Sequence, residues 1–188
     1  RGSARTAMEA AGAGIGRRNG KIVPVGLASI ERSFDFGAGP TACINCTWGD
    51  VANAWYTTGI PNIDVFFEGT PFLRTLLGLA SLYAPLLRTA AGQAWLRAHV
   101  EMLPEGPSAQ KRHGTSMVIV AQASHPDGRR KTARLHTSEA YTFTATASAH
   151  VARRVLAGDF EPGFQTPGRV FGPGFVLSLP GVSREDLD

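Results

Sequence analysis

Only two of the 188 residues are cysteine, Cys43 and Cys46. One pair of thiols does not make the disulfide framework on which small secreted domains depend, so the expected setting is a reducing cytoplasm. Long apolar runs are equally scarce. The most apolar stretch, Thr75 to Leu87, is bracketed by Arg74 and Arg88 and falls short of the ~20 residues that span a bilayer. No transmembrane segment is expected. Charge of one sign is also thin: 19 Lys and Arg against 15 Asp and Glu leave a net +4. The only tight basic clusters are Arg17-Arg18 and Arg129-Arg130-Lys131. Nucleic-acid binders gather positive charge into a stripe with aromatic platforms, because phosphate neutralisation and stacking supply the affinity. The scatter here predicts no nucleic-acid partner. No signal peptide opens the chain, and a start at Arg1-Gly2-Ser3 without Met reads as part of something longer.

What is present suits a globular fold. Hydrophobic residues make up 43% and charged residues 18%, and the length suits one domain over residues 1–188. Ser3 to Ala13 has the composition of a short capped helix. Ile22 to Val25 reads as an extended edge piece. Ile30 to Phe36 alternates with period two, Gly37-Ala38-Gly39-Pro40 is a turn cluster, and Thr41 to Cys46 makes the returning strand of a hairpin. Trp48 to Thr58 is helical by pattern and Gly59 closes it. Asn62 to Glu68 is a further strand. Thr70-Pro71 starts a helix that is apolar on both sides, Pro85 is expected to kink or split it, and a second piece runs to Met102. Pro104 to Gly114 is a polar loop. Thr115 to Ser124 and Arg129 to Thr137 flank Pro126-Asp127-Gly128, the clearest hairpin of the chain. Ser138 is the expected cap of a helix that Gly158 ends. Phe175 to Leu179 looks strand-like, before a polar end.

Hairpin-rich order favours an α+β fold. The expectation is a mainly antiparallel (mixed) sheet of five to six strands, with three to four helices packed largely on one face.

Several motifs bear on chemistry. Gly12-Ala13-Gly14-Ile15-Gly16 invites a dinucleotide reading, but that fingerprint needs a strand before the glycines and a helix after them. Here a helix pattern precedes and Arg17-Arg18-Asn19-Gly20-Lys21 follows, so a flexible connector is expected. Cys43-Ile44-Asn45-Cys46 lacks the second ligand pair of a zinc site. On a strand its thiols point to opposite faces and pack. A thiol activated at a helix start stays open, since a helix pattern follows Cys46. The histidines at 99, 113, 125, 136 and 150 show no metal-ligand spacing on one helix. Trp48 and Asp50 at one end of a helix, with Tyr56 and Thr57 at the other, suit a pocket wall. Tyr141 and Thr142 open a later helix, where amides and hydroxyls hold an anionic group. These six are the candidate substrate-binding residues, with helix capping as the competing role for each. No residue stands out as catalytic, and none as a metal ligand.

Six segments together resemble saccharopine dehydrogenase-like NAD(P)-binding oxidoreductases of bacteria, in their C-terminal part. They are Gly14 to Gly20, Trp48 to Val51, Thr58 to Ile63, Glu139 to Thr142, Gly163 to Pro167 and Leu179 to Val182. The resemblance implies an α+β domain for substrate contact and subunit pairing, a homodimer, and a small-molecule substrate. It implies further that NAD(P) is held by an N-terminal Rossmann domain of the same protein and that no cofactor is bound by these residues. A non-catalytic assembly or lipid-interface module is the alternative, motivated by the two-sided apolar segment from Phe72 to Leu87.

Overall fold

The computed structural model describes residues 14–87, 89–102 and 114–187, with 106, 108, 110 and 112 between them. The expected helix at Ser3 to Ala13 lies outside the described residues, as does much of the expected loop from Pro104 to Gly114. The chain divides into two compact units, residues 1–33 with 41–107, and residues 34–40 with 108–188.

The first unit opens on a two-stranded hairpin, β1 (Ile15–Arg18) against β2 (Lys21–Pro24), in register from Ile15 opposite Pro24 to Arg18 opposite Lys21. The flexible connector expected at the glycine cluster is therefore regular structure from Ile15 on, with Gly12 and Ala13 outside the described residues. Its cause is local: Asn19 and Gly20 take positive φ of 50° and 77°, the geometry of a type I′ turn, for which Asn-Gly is the strongest short signal. Gly14 lets the strands approach closely, since a Cβ there would sit 1.9 Å from the Val25 carbonyl oxygen.

A three-stranded sheet follows, with β4 (Pro40–Cys46) between β3 (Glu31–Asp35) and β5 (Val65–Glu68). The middle strand supplies much of the core: Cys43 and Ile44 are buried. Buried Asn45 ties the preceding loop to it, because its side chain accepts from the Ile30 amide and donates to the Gly26 carbonyl. Helix α1 (Asp50–Thr58) buries Val51, and Gly59 closes it in the left-handed region, as expected. Helix α2 (Pro71–Leu82) starts where Thr70 caps the Leu73 amide at 3.2 Å. It breaks at Tyr83 before α3 (Ala84–Leu87), where Pro85 occupies a first-turn position that needs no amide. Helix α4 (Ala90–Met102) is the last described helix of this unit.

In the second unit β6 (Ser116–Ser124) and β7 (Arg130–Ser138) pair antiparallel along their full length around the expected turn. A further strand, β8 (Ser183–Asp186), adds to the other edge of β7. It was not legible as a strand, because Ser-Arg-Glu-Asp has no apolar alternation and all four residues are exposed. Backbone pairing and the ion pair of Arg134 with Glu185, 2.9 Å, hold it. Helix α5 (Ala140–Leu156) crosses to a short α6 (Pro167–Val170) and a 3₁₀ turn at Val176–Ser178. That turn replaces the strand expected at Phe175 to Leu179. Gly172, with φ of 80°, and Pro173-Gly174 bend the chain ahead of it, and Ser178 Oγ locks it by donating to the Phe175 carbonyl at 2.7 Å.

The class is α+β, as the sequence predicts. The strands are distributed differently: among the described residues, eight fall into three small antiparallel sheets, with six helices.

Candidate functional site

Two constellations stand out, one in each unit. In the first, Arg17 is only 5% exposed although it carries a full charge. Burial of such a group is tolerable only when its donors are matched. Nε donates to the Val51 carbonyl at 2.9 Å, and the terminal nitrogens donate to the carbonyls of Gly20 at 2.6 Å and Ala52 at 3.2 Å. The guanidinium also lies 5.4 Å from the Trp55 ring centroid, within cation–π range. Its backbone exchanges hydrogen bonds with Ile63, and the neighbouring Asn19 and Gly20 amides donate to Asn62 Oδ1 and the Pro61 carbonyl. Arg17 thus joins the glycine hairpin, the start of α1 and the loop at residues 58–63, three segments far apart in sequence.

In the second unit an apolar groove of ≈ 630 Å³ runs along one face of α5. Phe143, Ala147, Ser148, Val151, Ala152 and Val155 form its floor, and Pro167, Gly172, Phe175, Val176 and Leu179 form the opposite wall. The volume lies in the range of small-molecule sites. Arg154 props this wall. Its guanidinium stacks 4.1 Å from the Phe171 centroid, that ring lies 5.0 Å from Phe175, and Nε donates to Asp159 at 2.6 Å. Two residues before Pro167, Gln165 Oε1 is buried with no hydrogen-bond partner among the described residues. The groove offers shape and apolar surface, with no titratable side chain in its lining. It can hold an apolar body and cannot by itself move a proton.

The six predicted binding residues are scattered and none lines the groove. Trp48 is 47% exposed and packs tilted on Phe67 at 5.2 Å. Asp50 begins α1, with Tyr56 and Thr57 exposed near its far end. Tyr141 and Thr142 lie in the other unit, at the start of α5. Their amides both donate to Glu139 Oε2, at 3.0 and 3.2 Å. The cap is therefore Glu139 and not Ser138, which is the last residue of β7 opposite Ser116. A carboxylate of the chain itself occupies the position where an external anion was expected.

The cysteines lie on β4 as expected, Cys43 fully buried and Cys46 partly so. Burial, and secondarily the negative charge of Asp50, push the Cys46 thiol up to about 11. An activated thiol is held low instead, so the helix-start reading fails. Among the described residues no three His, Cys, Asp or Glu side chains gather as a metal site, and no helix is long and apolar enough to cross a membrane.

The groove was half-legible. Phe143, Ala147 and Val151 recur at helical spacing, which marks the floor. The wall comes from a segment rich in Gly and Pro with no period of its own. No protein-family model matches the chain, and no curated protein matches it in sequence.

Proposed function

We propose that this chain is the substrate-binding and subunit-pairing part of a saccharopine dehydrogenase-like NAD(P)-dependent oxidoreductase, with the nucleotide bound by a separate Rossmann domain of the same protein. What supports the reading is where the six resembling segments fall. Gly14 to Gly20, Trp48 to Val51 and Thr58 to Ile63 meet at Arg17. Glu139 to Thr142 leads into the groove floor at Phe143, while Pro167 and Leu179, from the last two segments, stand in its wall. In this reading the groove binds an apolar part of the substrate, and hydride chemistry belongs to the nucleotide. Gly14 and Gly16 serve close packing of the β1–β2 hairpin, which leaves the phosphates to be held elsewhere.

Titrating NADPH into this chain while following nicotinamide fluorescence tests the division of labour. No change in emission is expected, and saturable tight binding would overturn it.

The exposed apolar face of α2 and α3 favours a second reading, a non-catalytic assembly or lipid-interface module. Flotation with vesicles distinguishes its lipid form: the chain stays with the aqueous fraction if the first reading holds.

A further inference from the structure

Helices α2 and α3 carry two apolar faces. Leu73, Leu77, Ala84 and Leu87 are half-buried. The other face is a row of large side chains left in solvent: Phe72 (78% exposed), Leu76 (49%), Leu79 (50%), Tyr83 (52%) and Leu86 (62%). Their spacing runs four, three, four, three. That is the seam spacing at which one helix packs against another, and Leu82, 70% exposed, widens the apolar face along one flank of the row. The row stays in phase across the break at Tyr83, because the Tyr83 amide donates to the Leu79 carbonyl and the Leu87 amide to that of Tyr83, both at 2.9 Å.

We propose that this seam is the contact between two copies of the chain, paired through α2 and α3 about a two-fold axis. The proposal rests on the subunit-pairing role above and assigns its surface. Three observations commit the seam to a second copy. The spacing asks for a helix as partner. From Phe72 to Leu86 the sequence holds one charged residue, Arg74, and it is turned away into bonds with the Gly69 carbonyl and Glu31. The row therefore meets itself without like charges in opposition, as an isologous contact requires. The area is also sufficient. The five side chains expose roughly 600 Å² per copy, so a pair that covers them fully buries about 1,200 Å², above the ~1,000 Å² that separates specific interfaces from incidental ones.

Sedimentation at several concentrations, with two variants, tests the proposal. The unaltered chain is expected to be dimeric in the micromolar range. Leu76→Glu with Leu79→Glu should weaken association by about tenfold or more, since buried charge at the centre of a seam has no partner. Its circular dichroism should stay unchanged, because both positions are half-exposed in the single copy. Leu79→Cys, at the middle of the row, should form a disulfide between copies on mild oxidation. Cys43 is fully buried and the partly buried Cys46 thiol is held protonated, so the two native cysteines give that probe little background. A chain that is monomeric throughout, a dimer that survives the double substitution, or a seam that instead carries the chain onto anionic vesicles would each overturn the proposal. The nucleotide titration fails independently: a chain that binds NADPH tightly and still pairs through the seam overturns the division of labour alone.

Discussion

Cys46 ends β4 with its sulfur 3.7 Å from the Val65 carbonyl oxygen, four residues before the helix at which a reactive thiol was conceivable. Burial disfavours the thiolate, and Asp50 adds like charge, so the group is raised from 9.0 to about 11. A raised folded value means that the folded state keeps a proton which the unfolded state loses. Its contribution to stability is therefore fully present below pH 9 and is lost as pH rises through about 11. Denaturation midpoints should fall over that window in the unaltered chain and fall less in Cys46→Ala. Alkylation of Cys46 at pH 8 should likewise be slower than that of a free thiol. Rapid alkylation in the folded chain would remove the structural reading of this residue. Arg17 makes the complementary point: a charge is buried without titrating because carbonyl oxygens match its donors.

Among the elements, two glycines, one in α2 and one in α4, should respond oppositely to the same change. Gly78 lies inside α2, and a Cβ there would meet nothing within 4 Å. Gly78→Ala should stabilise the chain by about 0.5–1 kcal/mol through helix propensity. Gly92 lies in the first turn of α4, where a Cβ would come within 2.4 Å of the Leu86 carbonyl oxygen. Gly92→Ala should cost on the order of 1–3 kcal/mol, because backbone atoms must move. Urea denaturation of the pair checks both signs, and equal effects would mean that α3 and α4 do not pack as described. Elements were legible where a local signal is strong: Pro-Asp-Gly between β6 and β7, Gly59 after α1, Thr70-Pro71 before α2. Of the β1–β2 hairpin, the extended piece at Ile22 to Val25 is legible and β1 is not, although Asn19-Gly20 is such a signal, because Ile15-Gly16-Arg17-Arg18 has no apolar alternation. β8 and the 3₁₀ turn carry no signal of their own. They depend on Arg134 and on a tightly bent Gly-Pro segment, neither of which has a periodicity. The candidate site was less legible than the fold for the same reason, since half of the groove comes from that segment.

For the whole molecule, the proposed function turns on what the groove admits. Its lining is apolar apart from the Ser148 hydroxyl and backbone groups, and Arg154 beside it is already engaged with Asp159 and Phe171. A charged amino-acid substrate would leave its own groups unsatisfied there, at a cost greater than the apolar contact returns. An alkyl chain would not. Ala152 is exposed on the groove floor, so Ala152→Trp places a fluorophore against any occupant. With this variant, affinity for straight-chain alcohols should rise about fourfold per added methylene, the factor that corresponds to ~0.8 kcal/mol of apolar burial. The rise should stop once the chain outgrows the groove. Amino dicarboxylates should leave the emission unchanged at the same concentrations. A flat alcohol series would show that the groove is merely loose packing between α5 and the tail. A response to the amino dicarboxylates alone would move substrate binding to the polar surface around α1, where Trp48, Asp50, Tyr56 and Thr57 are exposed.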